Sequence, residues 1–264
     1  MVAARKLTRR AGRDAAGEFL AEGPQAVREA LAFPAPPREL FATAAAAARH
    51  PELLAAADRR GVPVSAVTDR AAAALSETAT PQGLVALCPV LDVPLATALA
   101  GRPRLVVVLA DIRDPGNAGT VLRSADAAGA GAVVFAGDSV DPYNGKAVRA
   151  GAGSLFHLPV VRGAPLAGAL AAVRAAGLAV LAADGAGERD LDQLPELAGR
   201  TAWLFGNEAW GLPAEVGALA DARVRIPISP RAESLNLAAA AAVCLFASAR
   251  AHRGNPTRPA ATKV

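Results

Sequence analysis

LVVVLADIRDPGNAGTVLRS, residues 105–124, is the stretch that decides the fold of this chain of 264 residues. The apolar run from Leu105 to Leu109 predicts a buried strand. A short polar loop follows, and Asn117, a residue type favoured as an N-cap, opens a helical pattern. This order places Asn117 and Arg123 near the carboxyl end of a parallel strand, where open α/β sheets bind their ligands. The same residues would also fit an ordinary capped helix with a solvated arginine.

Short β-rich runs alternate with alanine-rich helical stretches through the rest of the C-terminal part of the chain. This alternation predicts a doubly wound, mostly parallel sheet. The last predicted helix, from Asn236 to about Arg250, is apolar all round, so we expect it to be buried in a core or at a subunit interface. The predicted strands are 105–109, 132–136, 157–161, 178–182, 201–205 and 223–228.

The N-terminal third predicts a smaller α/β sandwich. Its predicted strands are 18–22, 39–43, 62–67 and 83–90, with helices at 24–31, 50–60 and 68–75. The expected organisation is a basic arm at 1–14, a first domain at 15–92, a proline-containing linker at 93–103, a second domain at 104–250 and a tail at 251–264.

Charge and composition indicate a polyanionic partner and argue against a membrane protein, a secreted protein and a metal-binding protein. Positive charges at Arg5, Lys6, Arg9, Arg10 and Arg13 precede the first acidic residue, which suits a polyanion such as nucleic acid, although a solvated tail is the alternative. No apolar run is long enough for a membrane span, and the charged N-terminus without an apolar run argues against a secretory signal. The two cysteines lie far apart in apolar surroundings, and the three histidines have no ligand spacing with them. We therefore expect a reduced, cytoplasmic protein with no metal site and no membrane contact.

Two further clusters of polar residues follow predicted strands, whereas complete GxGxxG and GxxxxGK[ST] loops are missing from the sequence. The first cluster is LFGNEAWGL at 204–212, where a glycine at a strand end admits close approach of a ligand. The second is IPISPRAESLN at 226–236, which places several polar groups just before an apolar helix. A plain turn and simple helix capping are the respective alternatives.

Together these clusters resemble a known family. Asn117-x-Gly119-x-x-x-Arg123, Gly206-Asn207-Glu208-x-x-Gly211-Leu212 and Ile226-Pro227 with Ser234-Leu235-Asn236 resemble the three ordered motifs of the SpoU RNA 2′-O-ribose methyltransferases, which belong to the SPOUT class. Arg5-Lys6, Phe19-Leu20-x-Glu22-Gly23 and Thr80-Pro81-Gln82-Gly83 resemble the substrate-binding domain of many members, which is akin to a ribosomal protein fold. Gly151 departs from the pattern, since many relatives have serine there.

The resemblance implies a fold, a cofactor and partners. The expected fold class is α/β, with a small α/β sandwich followed by a C-terminal α/β domain that carries a deep trefoil knot and a mostly parallel sheet. The expected cofactor is S-adenosylmethionine. The expected partners are RNA, ribosomal rather than transfer RNA, and a second copy of the chain bound through the C-terminal domain. A non-catalytic RNA-binding or ribosome-assembly protein on the same fold is the alternative, and an unrelated nucleotide-binding enzyme is a third possibility.

The resemblance also implies three sets of site residues. Arg123 is the central catalytic residue, either as a base or as a clamp on RNA phosphate, and a guanidinium that keeps its proton suits the clamp. The catalytic set is Arg123, Asn117, Glu208, Ser234 and Asn236. The cofactor-binding set is Ala183, Gly206, Asn207, Ile226, Leu235 and Asn236. The RNA-binding set is Arg5, Lys6, Arg9, Arg10 and Gln82.

Overall fold

The computed structural model describes residues 2–78 and 80–254, which divide into two compact units. The first unit comprises residues up to 93 together with 113–123 and 140–162, and the second comprises 94–112, 124–139 and the chain from 163 onward. Two segments of the predicted second domain therefore belong to the first compact unit.

A mixed four-stranded sheet forms the centre of the N-terminal part. The elements are α1 (Val2–Arg5), α2 (Arg10–Ala16), β1 (Glu18–Glu22), α3 (Pro24–Ala32), β2 (Glu39–Thr43), α4 (Ala44–Arg49), α5 (Pro51–Arg59), β3 (Val64–Val67), α6 (Asp69–Ala73) and β4 (Leu84–Pro89). The strand order is β1-β4-β2-β3, in which β4 pairs antiparallel with β1 and β2, and β2 pairs parallel with β3. Phe19, Leu40 and Leu84 are fully buried on this sheet, as the apolar runs predicted.

The predicted basic arm is folded rather than extended. Its residues form α1 and α2 with a 3-10 turn between them, and Ala4 and Leu7 are buried. Arg13 is only 2% exposed, and its guanidinium donates to Asp141 Oδ2 at 2.7 Å and to Leu7 O at 2.9 Å. Because a buried charge persists only with such partners, Arg13 is a structural residue of the first unit. The solvated-tail alternative is wrong for residues 2–14.

The second sheet has seven strands. The elements are α7 (Leu95–Ala100), β5 (Leu105–Ala110), α8 (Pro115–Ala128), β6 (Ala132–Ala136), α9 (Gly145–Gly151), β7 (Val160–Ala164), α10 (Leu166–Ala175), β8 (Ala179–Ala183), β9 (Arg189–Asp190), β10 (Thr201–Phe205), α11 (Ala214–Gly217), β11 (Ala222–Arg225) and α12 (Leu237–Gly254). The strand order is β7-β6-β5-β10-β8-β11-β9, with parallel pairing from β6 through to β9. Strands β5, β6 and β10 are buried along their whole length, which explains their continuous apolar sequences. The predicted α/β class is confirmed, whereas the trefoil knot stays a prediction.

The N-cap of α8 is Asp114, so the prediction that Asn117 caps this helix is wrong. Asp114 Oδ1 accepts a hydrogen bond from Asn117 N at 2.8 Å, and Pro115 occupies the first helical position, which is its preferred place. Asn117 therefore lies inside the first turn. A hydrogen bond from Lys146 Nζ, 2.8 Å from Asp114 Oδ2, lowers the pKa of Asp114, and main-chain donors at the helix start add to this effect.

Prolines account for two boundaries that the sequence placed wrongly. Strand β7 begins at Val160, three residues later than predicted, because Pro159 has no N–H to give to a ladder. Strand β11 ends at Arg225, ahead of Pro227, for the same reason. In addition, α7 lies within the predicted linker, and α12 continues to Gly254. Residues 255–264 of the predicted tail lie outside the described residues.

Both cysteines are small core residues. Cys88 and Cys244 are buried, and burial raises the pKa of both thiols, that of Cys244 to about 12. Within the described chain, no group of histidine, cysteine and acidic side chains is arranged to hold a metal ion. The described helices include none with both the length and the apolar character needed to cross a membrane.

Candidate functional site

A cavity of about 370 Å³ lies in the second unit at the carboxyl ends of β8, β10 and β11. Ala183 and Gly185 reach it from the end of β8, the loop 206–211 follows β10, and Ile226 follows β11. In this sheet β10 lies beside β5, where the order of the strands along the chain reverses. Open α/β sheets bind ligands at the carboxyl ends of their strands near such a switch point, and β10 contributes to both, so the position agrees with a cofactor site.

The charged residues that line the cavity indicate which charge its ligand carries. Carboxylates line it at Asp184, Glu208 and Glu233, and the described lining residues include no lysine, arginine or histidine. Arg223 pairs with Asp184 at 2.9 Å from outside the lining. Such a wall suits a cationic ligand and opposes a phosphate-bearing one. S-adenosylmethionine carries a sulfonium and an ammonium group, so the residues present fit the expected cofactor.

The loop after β10 is held rigidly by Asn207, which is 5% exposed. Asn207 and Gly211 exchange two main-chain hydrogen bonds, at 3.0 Å and 2.9 Å. The side-chain oxygen of Asn207 accepts from Ala209 N at 2.8 Å, and its Nδ2 donates to Asp111 O at 2.7 Å. A Cβ at Gly206 would lie 2.4 Å from Gly211 O, so the closed loop requires glycine at Gly206. The amide thus fixes the loop to the residue that follows β5.

Asp111 links the ends of three strands through hydrogen bonds, a role that the sequence did not predict. It adopts a left-handed backbone conformation with φ 54°, which is uncommon and strained for a residue other than glycine. Its carbonyl accepts from Asn207, and its Oδ1 accepts from Asp138 N at 2.7 Å. Asp111 therefore ties the end of β5 to the ends of β6 and β10. Its position directly after a buried strand is the feature of the sequence that could have indicated this role.

Most of the predicted cofactor-binding residues meet at the cavity. Ala183, Gly206, Asn207, Ile226 and Leu235 line it, as do Glu208 and Ser234 from the predicted catalytic set. Asn236 is not among the lining residues. Its Oδ1 accepts from Ala238 N at 2.9 Å and so caps α12, which is the alternative that the sequence had left open.

Asn117 and Arg123 belong to the first unit and lie on α8. Asn117 is half-buried in the first turn, and Arg123 is exposed. Between them, a Cβ at Gly119 would lie 2.2 Å from Ala147 O on α9, so the glycine permits the close approach of these two helices. A Cβ at Gly151, the departure from the family pattern, would make ordinary contact with Gly119 O at 3.6 Å, so the structure does not require glycine there.

The predicted RNA-binding residues, all in the first unit, have exposed side chains; they are Arg5, Lys6, Arg9, Arg10 and Gln82. Gln82 also lines a polar cavity of about 320 Å³ in this unit, together with Gln25, Thr80 and Arg149. Arg149 Nη1 lies 2.9 Å from Glu22 Oε2. The sequence did not predict Gln25 or Arg149 as RNA-binding residues, because distant segments of the chain bring them together at this cavity.

One face of α12 is apolar and exposed. Val243 is 43% exposed and Phe246 is 44% exposed, and Ala239 lies one turn before them on the same face. The opposite face docks on the sheet, where Trp203 Nε1 donates to Ser248 Oγ at 2.9 Å. The helix is therefore buried on one face only within a single chain.

Two family models match the chain. Residues 104–246, more than half of the chain, match the SpoU rRNA Methylase family. Residues 3–86 match the MRM3-like substrate binding domain.

Relatives and solved structures extend the match over nearly the whole chain. The 23S rRNA (guanosine(2553)-2′-O)-methyltransferase RlmP of Bacillus subtilis is 34% identical over 245 residues, which cover 92% of each chain. An AdoMet-bound rRNA methyltransferase from Sinorhizobium meliloti is 33% identical with a TM-score of 0.81, covering 94% of this chain and 93% of that one. The SpoU methyltransferase AviRb from Streptomyces viridochromogenes, in complex with AdoMet, is 32% identical with a TM-score of 0.81, covering 95% and 96%.

Proposed function

Because this chain belongs to the SpoU rRNA methylase family, we propose that it methylates one ribose 2′-hydroxyl of 23S rRNA. The chain is an S-adenosylmethionine-dependent rRNA ribose 2′-O-methyltransferase. The choice of 23S rRNA is supported by RlmP, which is named for that RNA and matches 92% of each chain, the observation that carries the proposal. The MRM3-like substrate binding domain at residues 3–86 supports a substrate-binding role for the N-terminal part of the chain.

The cavity of the second unit is the proposed cofactor site. S-adenosylmethionine supplies a methyl group on a positively charged sulfur. Glu208 and Glu233 supply negative charge toward that cation, and Ile226 and Leu235 supply apolar surface. Asn207 acts indirectly, because its amide holds the loop in the shape that forms the cavity wall.

We assign the catalytic residues from the motifs. A guanidinium keeps its proton in proteins, so Arg123 is proposed to hold an RNA phosphate and to stabilise the negative charge that develops on the 2′-oxygen as this oxygen bonds the methyl group and its proton passes to water. Asn117 is proposed to assist from the same helix. Ser234 and Glu208 line the cavity and are proposed to orient the reacting hydroxyl. Asn236 is proposed to position Ser234 by capping α12.

RNA is proposed to bind the exposed basic residues of α1, α2 and the turn between them. Lysine and arginine contacts to phosphate give affinity that falls steeply with salt. Gln82 and the polar cavity around it lie in the same unit, and their amide and hydroxyl groups suit hydrogen bonds to unpaired bases.

A homodimer is proposed to form through the exposed face of α12. Exposed apolar side chains that share one helix face suit a self-complementary contact with a second copy. The predicted burial of α12 would then be completed by the partner. Sedimentation of the wild type and of Phe246→Glu tests this contact, and a dimer that persists in the variant would contradict it.

The function is tested by tritium transfer from labelled S-adenosylmethionine to separated RNA size classes. We expect label in 23S rRNA that falls at least about a hundredfold in Arg123→Ala, a loss typical when transition-state charge loses its partner. Arg59→Ala, which alters another exposed helical arginine of the first unit, is the matched control. Label in transfer RNA alone, or equal activity in the two variants, would contradict the proposal.

A further inference from the structure

We propose that Trp210 is the stacking platform for the base of the target nucleotide, and therefore contributes to the affinity for RNA at the cavity. The inference rests on the proposed function. Trp210 is 60% exposed, whereas Trp203, the other tryptophan, is fully buried. An exposed indole offers a flat apolar face, with a polar N–H at its edge, that a ligand can cover.

The loop places the main chain of Trp210 beside the cavity. Ala209 and Gly211, the two neighbours of Trp210, both line the cavity. The paired main-chain hydrogen bonds between Asn207 and Gly211 close the loop, and the Asn207 side chain bonds Ala209 N within it. Because the main chain of the five residues 207–211 is closed in this way, little of the loop has to be ordered when a ligand binds.

A nucleotide base is the partner that this position favours. A 2′-hydroxyl that reaches the cavity brings its own base to the edge of the same cavity. That base leaves its neighbours in the RNA stack, and an aromatic side chain replaces the lost stacking. Gly211 has no side chain and Ala209 only a methyl group, so neither covers the indole.

The surroundings of Trp210 differ from those of an interface between copies. Among the described residues, Phe246 is the other exposed aromatic side chain, and it shares its helix face with Val243. Trp210 instead follows the charged Glu208 and the small Ala209 in a tight loop. An isolated aromatic ring beside a reaction cavity suits a flat ligand, whereas a row of apolar side chains suits a helix.

The test measures RNA binding by Trp210→Phe and Trp210→Leu, with an unmodified 23S rRNA transcript as the probe and S-adenosylhomocysteine in place of the cofactor. Stacking on one base corresponds to about a 5- to 150-fold change in affinity. We expect Trp210→Phe to stay within about threefold of the wild type and Trp210→Leu to lose affinity over that range. Leu219→Ala, which alters another exposed apolar side chain of the second unit, is the control and should bind normally.

Two further measurements separate the possible outcomes. The affinity for S-adenosylmethionine and the sedimentation of both variants should match the wild type. Equal RNA binding by the Phe and Leu variants would overturn the proposal, and a shift of Trp210→Leu to monomer would overturn it in favour of an interface between copies. Because the binding assay needs no methyl transfer, an inactive wild type would contradict the proposed function and still leave the stacking result readable.

Discussion

Replacing Asn207 by aspartate is expected to weaken S-adenosylmethionine binding, although the two side chains have the same shape. The oxygen that accepts from Ala209 N at 2.8 Å is kept. The Nδ2 donor to Asp111 O, at 2.7 Å, becomes a second carboxylate oxygen. Two oxygens then face each other in a place that is 5% exposed, and the loop is expected to move away from the end of β5.

The size of the effect follows from the groups that lose their partner. The lost hydrogen bond is worth about 1 kcal/mol, and leaving the Asp111 carbonyl unsatisfied adds about 1–3 kcal/mol. If binding must restore the native loop, a total of about 2–4 kcal/mol raises the dissociation constant about 30- to 1,000-fold. If the loop instead keeps its native position in the variant, the same energy of about 2–4 kcal/mol is lost from the free energy of unfolding.

Calorimetric titration with S-adenosylmethionine and urea unfolding together measure this energy. Asn144→Asp is the matched control, because the Asn144 side chain caps α9 by accepting from Lys146 N at 2.9 Å, a role that aspartate performs equally well. Burial and the facing carbonyl raise the pKa of the carboxyl introduced at Asn207, and its protonated form donates to Asp111 O. The defect should therefore shrink as the pH falls. Native affinity and native stability at neutral pH would refute the reasoning.

Three other predictions concern the structure that supports the site. Arg13→Met should lower the free energy of unfolding by about 3 kcal/mol, read from urea titration, because it removes the nearest partner of the buried Asp141 carboxylate. Gly119→Ala should destabilise by about 1–3 kcal/mol through its clash with α9, whereas Gly168→Ala, a helical position with open space, should be neutral or stabilising in the same thermal scan. Both cysteines should stay unreactive toward a thiol reagent in the folded protein and react in urea, because burial raises the pKa of each thiol.

Much of the fold could be predicted because apolar runs and helix signals lie within single elements. The predicted bounds of 132–136 and 201–205 are those of β6 and β10, since these strands are buried on both faces and read as continuous apolar runs. The helix predicted at 68–75 is α6, and Thr68, where that prediction began, caps it by accepting from Ala71 N. The two-residue β9 and the helix α4, which is five alanines and an arginine, carry no periodic pattern and were missed.

The site could be predicted only where its residues lie within short motifs of the sequence. Ala183 ends β8, and Gly206 and Ile226 follow β10 and β11 directly. The resemblance to the family motifs implied that these three residues bind the cofactor, and all three line the cavity. Glu233 lies in the loop before α12 and joins the cavity through the folding of that loop. Its contribution depends on tertiary structure, which no local pattern records.

In each of the two motifs that border the cavity, hydrogen bonds distinguish an asparagine that holds the loop in shape from a neighbouring side chain that is available to a ligand. Asn207 uses both ends of its amide on main-chain groups, and Asn236 uses its oxygen to cap α12. Ser234 and Glu208, one or two residues away from them along the chain, line the cavity. An asparagine held in this way serves the reaction by fixing its neighbour, because a hydroxyl or carboxylate on a loose loop would lose the alignment that catalysis needs. On the proposed assignment, the asparagines of these two motifs hold the loops in shape, and the adjacent Ser234 and Glu208 face the reacting groups.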